Sequence, residues 1–473
     1  MTFISLEFGI FILIVLIIFW LLKSRFYYQK ILLLLSSNFF YGYYDYRFLL
    51  ILNFTIFSDF ISGILINKTS NRLFQKLILI IAITISLLLM FYFKYLNFII
   101  QILNDSFNLH IFKLNIILPI GISFYTFHGI SYLIDVYNKK IKSESSILNY
   151  SLFVSYFPLL VAGPIERAGN LLNQFKKKKN IFDYSSFVNG MQLILIGFFK
   201  KIVLSDNLSL FVDDIYINSE NYNGATLMIG TFFFAFQIYF DFSGYSDIAS
   251  GLAKLFGQKL IINFNYPYLT KNIIEFWQNW HISLSSFFKD YIYIPIGGNT
   301  NKNIYYVRNI LFIFLISGIW HGANLNFIIW GLYHGLLYLI SKIIIKLIKF
   351  PIKNNYLNGL AYIMNFTLIS IGWIFFRSDD INQSFKILRN IFCSEIFDFP
   401  YFKNGSLAIP FIFLSLFFLL FEKIAKSKKL DSPIFLIQKI KSTLTRNIVY
   451  YLIIFLILYL GNYQNNSFIY FQF

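Results

Sequence analysis

A single cysteine, Cys393, stands in 473 residues. One thiol excludes an intrachain disulfide and every multi-cysteine metal site, and Cys393 itself reads as a small packed side chain. Acidic residues are scarce, 22 against 40 lysines and arginines, and charged residues of both signs make up only 13% of the chain. With 57% hydrophobic residues and a mean hydropathy of +0.63, that is too little polarity for a soluble domain. Nucleotide, zinc-hydrolase and serine-hydrolase signatures are also missing: there is no Walker-type loop, no glycine fingerprint, no HExxH and no GxSxG. Tandem repeats, long linkers and a recognisable soluble domain are absent as well. The chain reads as one all-α integral-membrane domain over 1–473.

The basic excess amounts to a formal net charge of +18. The lysines and arginines fall in short runs between apolar segments. That is the pattern of cytoplasmic loops facing anionic lipid, so no nucleic-acid partner is expected. Aromatics are abundant at 21%. The accompanying surplus of Ile, Asn and Lys points to an AT-rich coding sequence more than to an aromatic binding surface.

Roughly a dozen segments are expected to cross or enter the bilayer, at about 17–25 residues for a full crossing. The clearest are 7–22, 46–66, 77–100, 116–137, 186–204, 226–240, 309–320, 326–347, 358–376, 407–422 and 447–461. Residues 7–22 read as a retained first helix and not a signal peptide, since residues 1–6 carry no positive charge. Lys23, Arg25 and Lys30 put the loop after it in the cytoplasm. Lys68, Arg72 and Lys76 mark a second cytoplasmic return, and Lys139, Lys140 and Lys142 a third. The basic stretch 423–446 is cytoplasmic by the same rule, which places the tail at 462–473 outside. Gly163-Pro164 breaks any helix through 158–179. Residues 257–300, with Pro267, Pro295 and Gly297-Gly298, read as re-entrant or interfacial helices.

The residues that carry chemistry are polar groups in apolar sequence. His321 lies between Trp320 and Gly322 inside FLISGIWHGANLNFIIWGLYH, residues 314–334. An ionisable residue at membrane depth is costly unless it is paired or faces a cavity. His281 lies in the broken region, forty residues earlier, so only tertiary folding brings the two together. Each reads either as a general base for a hydroxyl nucleophile or as a core histidine bonded to a backbone carbonyl. Asp241 and Asp247 fall on different faces of a continuous helix, and Gly244 between them suggests a break. Asp241 either lines a polar pocket or braces helices; Asp247 reads as a brace. His128 and Asp135 share a helix face as a structural pair. Glu166, Arg167 and Arg377 read as interfacial, His334 as structural and His110 as exposed.

Seven stretches in this order carry a resemblance. They are GISFYTFHGISYLIDVY (121–137), FPLLVAGPIERAGNLLNQF (157–175), GFFKKIVLSDNLS (197–209), FQIYFDFSGYSDIASGLAKLFG (236–257), NFNYPYLTKNIIEFWQNWHISLSSFFKDYIYIPIGGN (263–299), SGIWHGANLNFIIWGLYHG (317–335) and GWIFFRSDD (372–380). The chain resembles the membrane-bound O-acyltransferase family, in the branch that O-acetylates peptidoglycan or alginate. The resemblance implies helices around a central tunnel, with a catalytic core over 120–380. It also implies acyl transfer from a thioester to a hydroxyl, with acetyl-CoA as donor substrate, no bound cofactor and no metal. On the same basis His321 matches the family's essential histidine and His281 its second active-site position. Asp241 and Trp320 are weak candidates for contacting the donor. The tail SFIYFQF, 467–473, resembles a C-terminal motif of this branch and of a small companion peptide in lipoteichoic-acid D-alanylation. There the motif's tyrosine is thought to relay the acyl group. Tyr470 is therefore a candidate acetyl acceptor, against a plain role as an aromatic interface anchor.

Two functions follow. One is a bacterial inner-membrane enzyme that passes acetyl to a periplasmic O-acetyltransferase partner acting on peptidoglycan, or on alginate or another exopolysaccharide. The other is a proton-coupled transporter using the intramembrane Asp and His residues. No pseudo-symmetric halves are visible, which speaks against the carrier.

Overall fold

The computed structural model describes residues 1–160, 163–178, 182–299, 303–347, 355–393, 398–402, 405–464 and 468–469. Within them every regular element is a helix, and eight helices are long and apolar enough to cross a membrane. The chain forms two compact units, Met1–Ile194 with Tyr245–Ile261, and Leu195–Gly244 with Ile262–Phe473.

The first unit holds α1 (Leu6–Leu21), α2 (Phe26–Gly42), α3 (Arg47–Lys68), α4 (Arg72–Phe107), α5 (Ile122–Tyr137), α6 (Ile147–Ser155), α7 (Phe157–Leu160), α8 (Ala168–Lys176) and most of α9 (Tyr184–Phe198). Ser5 and Asn71 start α1 and α4 by accepting backbone N–H bonds from the first turn. The expected span 116–137 is shorter at its start, because Pro119 and the left-handed Gly121, φ 73°, delay the helix to Ile122. His128 and Asp135 do not serve each other as expected. His128 Nε2 accepts the Glu166 N–H at 3.0 Å, and Asp135 lies 3.6 Å from Lys140. Glu166 is also not interfacial. It is fully buried, and its carboxylate accepts from the Ile261 N–H at 2.6 Å and from Asn170 at 2.8 Å. Burial raises its carboxyl to about 7.

The second unit takes the last turn of α9 and then a π-helical turn, Phe199–Ser205, that runs into α10 (Asp206–Ile217). It continues through α11 (Gly224–Leu255), whose last turns belong to the first unit, and the short α12 (Ile273–Asn279) and α13 (Ile282–Phe288). After these come α14 (Asn303–His321), α15 (Leu325–Leu347), α16 (Asn355–Arg377), α17 (Ile381–Cys393), α18 (Gly405–Ser427) and α19 (Thr443–Leu460). The expected span 226–240 ends too early. Hydropathy counts Asp241 as a stop, yet α11 runs on, because Lys201 neutralises that carboxylate inside the protein. Nor does Gly244 break the helix. It lets α11 approach the π-turn, where a Cβ would stand 2.9 Å from the Gly197 carbonyl oxygen. Residues 257–299 form short pieces, none long enough to span.

α14 and α15 pack as a close hairpin. Gly318 on α14 faces Gly331 on α15, and the missing side chains let the two backbones touch. A Cβ on Gly318 would meet the Phe327 carbonyl oxygen at 2.2 Å, and one on Gly331 would meet that of Phe314 at 2.4 Å. This contact fixes the end of α14, where His321 sits.

Candidate active site

His321 is the last residue of α14 and is 4% exposed. Its ring stands edge-on to Trp330 at 4.9 Å and to Phe376 at 5.2 Å. A proton taken up here meets the negative end of the α14 dipole. Trp330 stacks on Trp373 at 5.9 Å, and His334 packs on Trp330 and Trp277 at 5.1 Å each. His334 is therefore part of an aromatic wall, as expected of a structural residue.

His281 caps α13 and is 1% exposed. Its backbone is left-handed, φ 42°, a costly conformation for a residue with a Cβ, and one found at functional turns. Asn263 holds the turn. Its carbonyl accepts the Ile282 N–H at 2.9 Å, and its side-chain oxygen accepts the Ser283 hydroxyl at 2.9 Å and the Ser283 N–H at 3.3 Å. Burial pushes the His281 imidazole down to about 3, so it is neutral at ordinary pH. The fold brings the two histidines to one side chain. Trp320 lies 6.1 Å from the His281 ring and 4.9 Å from the His321 ring, and is itself 5% exposed.

Asp241 faces a different group. Lys201 Nζ is 2.7 Å from one carboxylate oxygen of Asp241 and 2.6 Å from Asp206, all three side chains being 1–3% exposed. The other oxygen of Asp241 accepts the Ile469 N–H at 2.8 Å. Asp247, six residues on, is half-buried. Arg377 ends α16 and pairs with Asp213 at 2.6 Å, and His110 is exposed in a loop. Tyr470 lies outside the described residues. Phe468 and Ile469, just before it, are buried, and the Phe468 ring packs on Phe242 at 5.5 Å. Phe242 in turn meets the His281 ring edge-on at 4.6 Å. Asn263, Lys201 and Asp206 escaped the sequence reading, since a clamp and an ion triad leave no local signature.

The model of the membrane-bound O-acyltransferase family matches residues 138–376, which include both histidines. The peptidoglycan O-acetyltransferase of Helicobacter pylori is 35% identical over 379 residues, 75% of this chain and 72% of that protein. A probable alginate O-acetylase of Pseudomonas aeruginosa is 37% identical over 360 residues, 75% of this chain and 68% of that one. The teichoic acid D-alanyltransferase of Bacillus subtilis is 29% identical over 274 residues, covering 55% and 69%. The chain belongs to the membrane-bound O-acyltransferase family. It is a multi-pass membrane O-acyltransferase.

Proposed function

We propose that the enzyme takes acetyl from cytoplasmic acetyl-CoA and passes it across the inner membrane to a periplasmic O-acetyltransferase that modifies peptidoglycan. The observation that carries this reading is the packing of both imidazoles on Trp320, with the buried Phe468 one ring away from His281. His321 acts as general base on the Tyr470 hydroxyl. The phenolic oxygen attacks the thioester carbonyl, the C–S bond breaks, and the departing thiolate takes the proton back from the His321 imidazolium. The neutral His281 donates to the carbonyl oxygen as negative charge develops on it. A dry aromatic wall strengthens these bonds and keeps water from the acyl group. The periplasmic partner then takes acetyl from Tyr470, so coenzyme A never crosses.

Labelled acetyl-CoA and the purified protein test this directly. Label appears on Tyr470 in the wild type, and is lost in Tyr470→Phe together with acetyl export in cells. Export that survives Tyr470→Phe contradicts the relay. Similarity of comparable extent to an alginate O-acetylase supports alginate or another exopolysaccharide as a second acceptor. Acetyl content of the purified glycans separates the two.

A further inference from the structure

We propose that Lys201 and Asp241 form a latch that seats the C-terminal tail, with Asp241 acting as a positioning residue for Tyr470. The proposal deepens the acyl-relay reading, and the seating of the tail is measurable whether or not Tyr470 is acylated.

The helix before the tail gives it little support, because none of the residues of α19 is buried. The tail is instead held after α19 ends. The Asn462 N–H donates to the Ile202 carbonyl at 2.9 Å, and the Asn462 side-chain amide donates to the Asp206 carbonyl at 3.0 Å. In return the Asn207 amide donates to the Leu460 carbonyl at 2.9 Å. Ile202 belongs to the π-turn and Asp206 follows it, and π-turns gather at functional sites.

The second anchor is seven residues further on. Asp241 divides its carboxylate between Lys201 and the Ile469 N–H, at 2.7 and 2.8 Å. Lys201 also binds Asp206, whose carbonyl holds Asn462. One buried ion triad thus reaches both ends of the stretch 462–469. A bond from a backbone N–H to a buried carboxylate is charge-assisted and stronger than a neutral one. Unseating the tail leaves that carboxylate oxygen without its donor inside the protein, which opposes release. Phe468 fills the space against Phe242 beside the same carboxylate. Both ends are thereby fixed, and the residue directly after Ile469 is Tyr470.

Hydrogen–deuterium exchange on the full-length protein tests the latch. Asp241→Ala leaves Lys201 paired with Asp206, so it strands no ion. Ile469→Pro removes the N–H donor without touching the triad, and Ile469→Ala retains it. Asp241→Ala and Ile469→Pro are expected to speed exchange of the tail peptide by at least about tenfold, leaving α15 at its wild-type rate, while Ile469→Ala stays close to wild type. Acetyl transfer onward should fall by about tenfold or more in both loosened variants. Unchanged tail exchange in Ile469→Pro overturns the latch, whatever happens to Asp241→Ala. A loosened tail with undiminished onward transfer leaves the latch standing and overturns the Tyr470 relay.

Discussion

The ring of His281 stands 6.1 Å from that of Trp320, the residue immediately before His321. Forty residues of chain separate the two histidines, and a single indole joins them. Their separation therefore cannot exceed the sum of their two distances to that indole. The geometry makes the α13 turn and the end of α14 one working unit, and each support of that unit is open to test.

Asn263 is the support on the His281 side. Asn263→Ala leaves the Ser283 hydroxyl and N–H without their acceptor in a buried turn already held at positive φ. The expected cost is about 1–3 kcal/mol. Acetyl transfer is expected to fall about tenfold, with a smaller change in thermal stability if the turn alone relaxes. A thermal-shift assay beside single-turnover kinetics reads both.

Gly331 is the support on the His321 side. Gly331→Ala drives a Cβ to 2.4 Å from the Phe314 carbonyl oxygen, a backbone atom that cannot step aside. The helices must separate, at a cost of about 1–3 kcal/mol. Lower thermal stability in detergent is the expected result, with loss of activity through displacement of His321.

Glu166 supplies a pH dependence. Its carboxyl rises from the ordinary 4.5 to about 7 because burial opposes ionisation more than its bonds to Ile261 and Asn170 favour it. The folded chain therefore keeps this proton to higher pH than the unfolded chain. Its contribution is most favourable below 4.5 and is lost as pH rises through about 7. Glu166→Gln removes the titration and retains an oxygen acceptor for Ile261. Unfolding followed from pH 5 to 8 should show the variant gaining on the wild type, by about 3 kcal/mol at most at 1.36 kcal/mol per unit. A difference that stays flat across this range contradicts the assignment.

Lys201 carries the largest expected stability effect. Lys201→Met leaves Asp206 and Asp241 facing one another without their shared cation. Removing one partner of a buried ion group costs about 3–5 kcal/mol. Poor yield or a strongly lowered unfolding temperature is expected, and substantial recovery when both aspartates are also made neutral.

The exposed apolar helices are legible in the sequence. α3, α15 and α16 fall close to the apolar runs that announce them, since hydropathy reports the solvent a side chain meets. Sequence and structure differ where a polar group is neutralised inside the protein. Hydropathy ends α11 at Asp241, because the neutralising partner sits forty residues earlier, on the π-turn. Glu166 reads as interfacial in sequence because its bonds to Asn170 and the Ile261 amide form only on folding. His321 and His281 stood out as imidazoles in apolar or broken sequence. That Trp320 joins them, and that Asn263 holds one of them, are tertiary facts with no periodicity to betray them.

His321→Ala in the purified full-length protein, with labelled acetyl-CoA, shows whether this imidazole is the general base. A general base contributes about 10²–10⁴ in rate. A loss of that size is expected in release of coenzyme A and in labelling of the tail, with the unfolding temperature close to wild type. Release and labelling at the wild-type rate in a well-folded His321→Ala protein would contradict it.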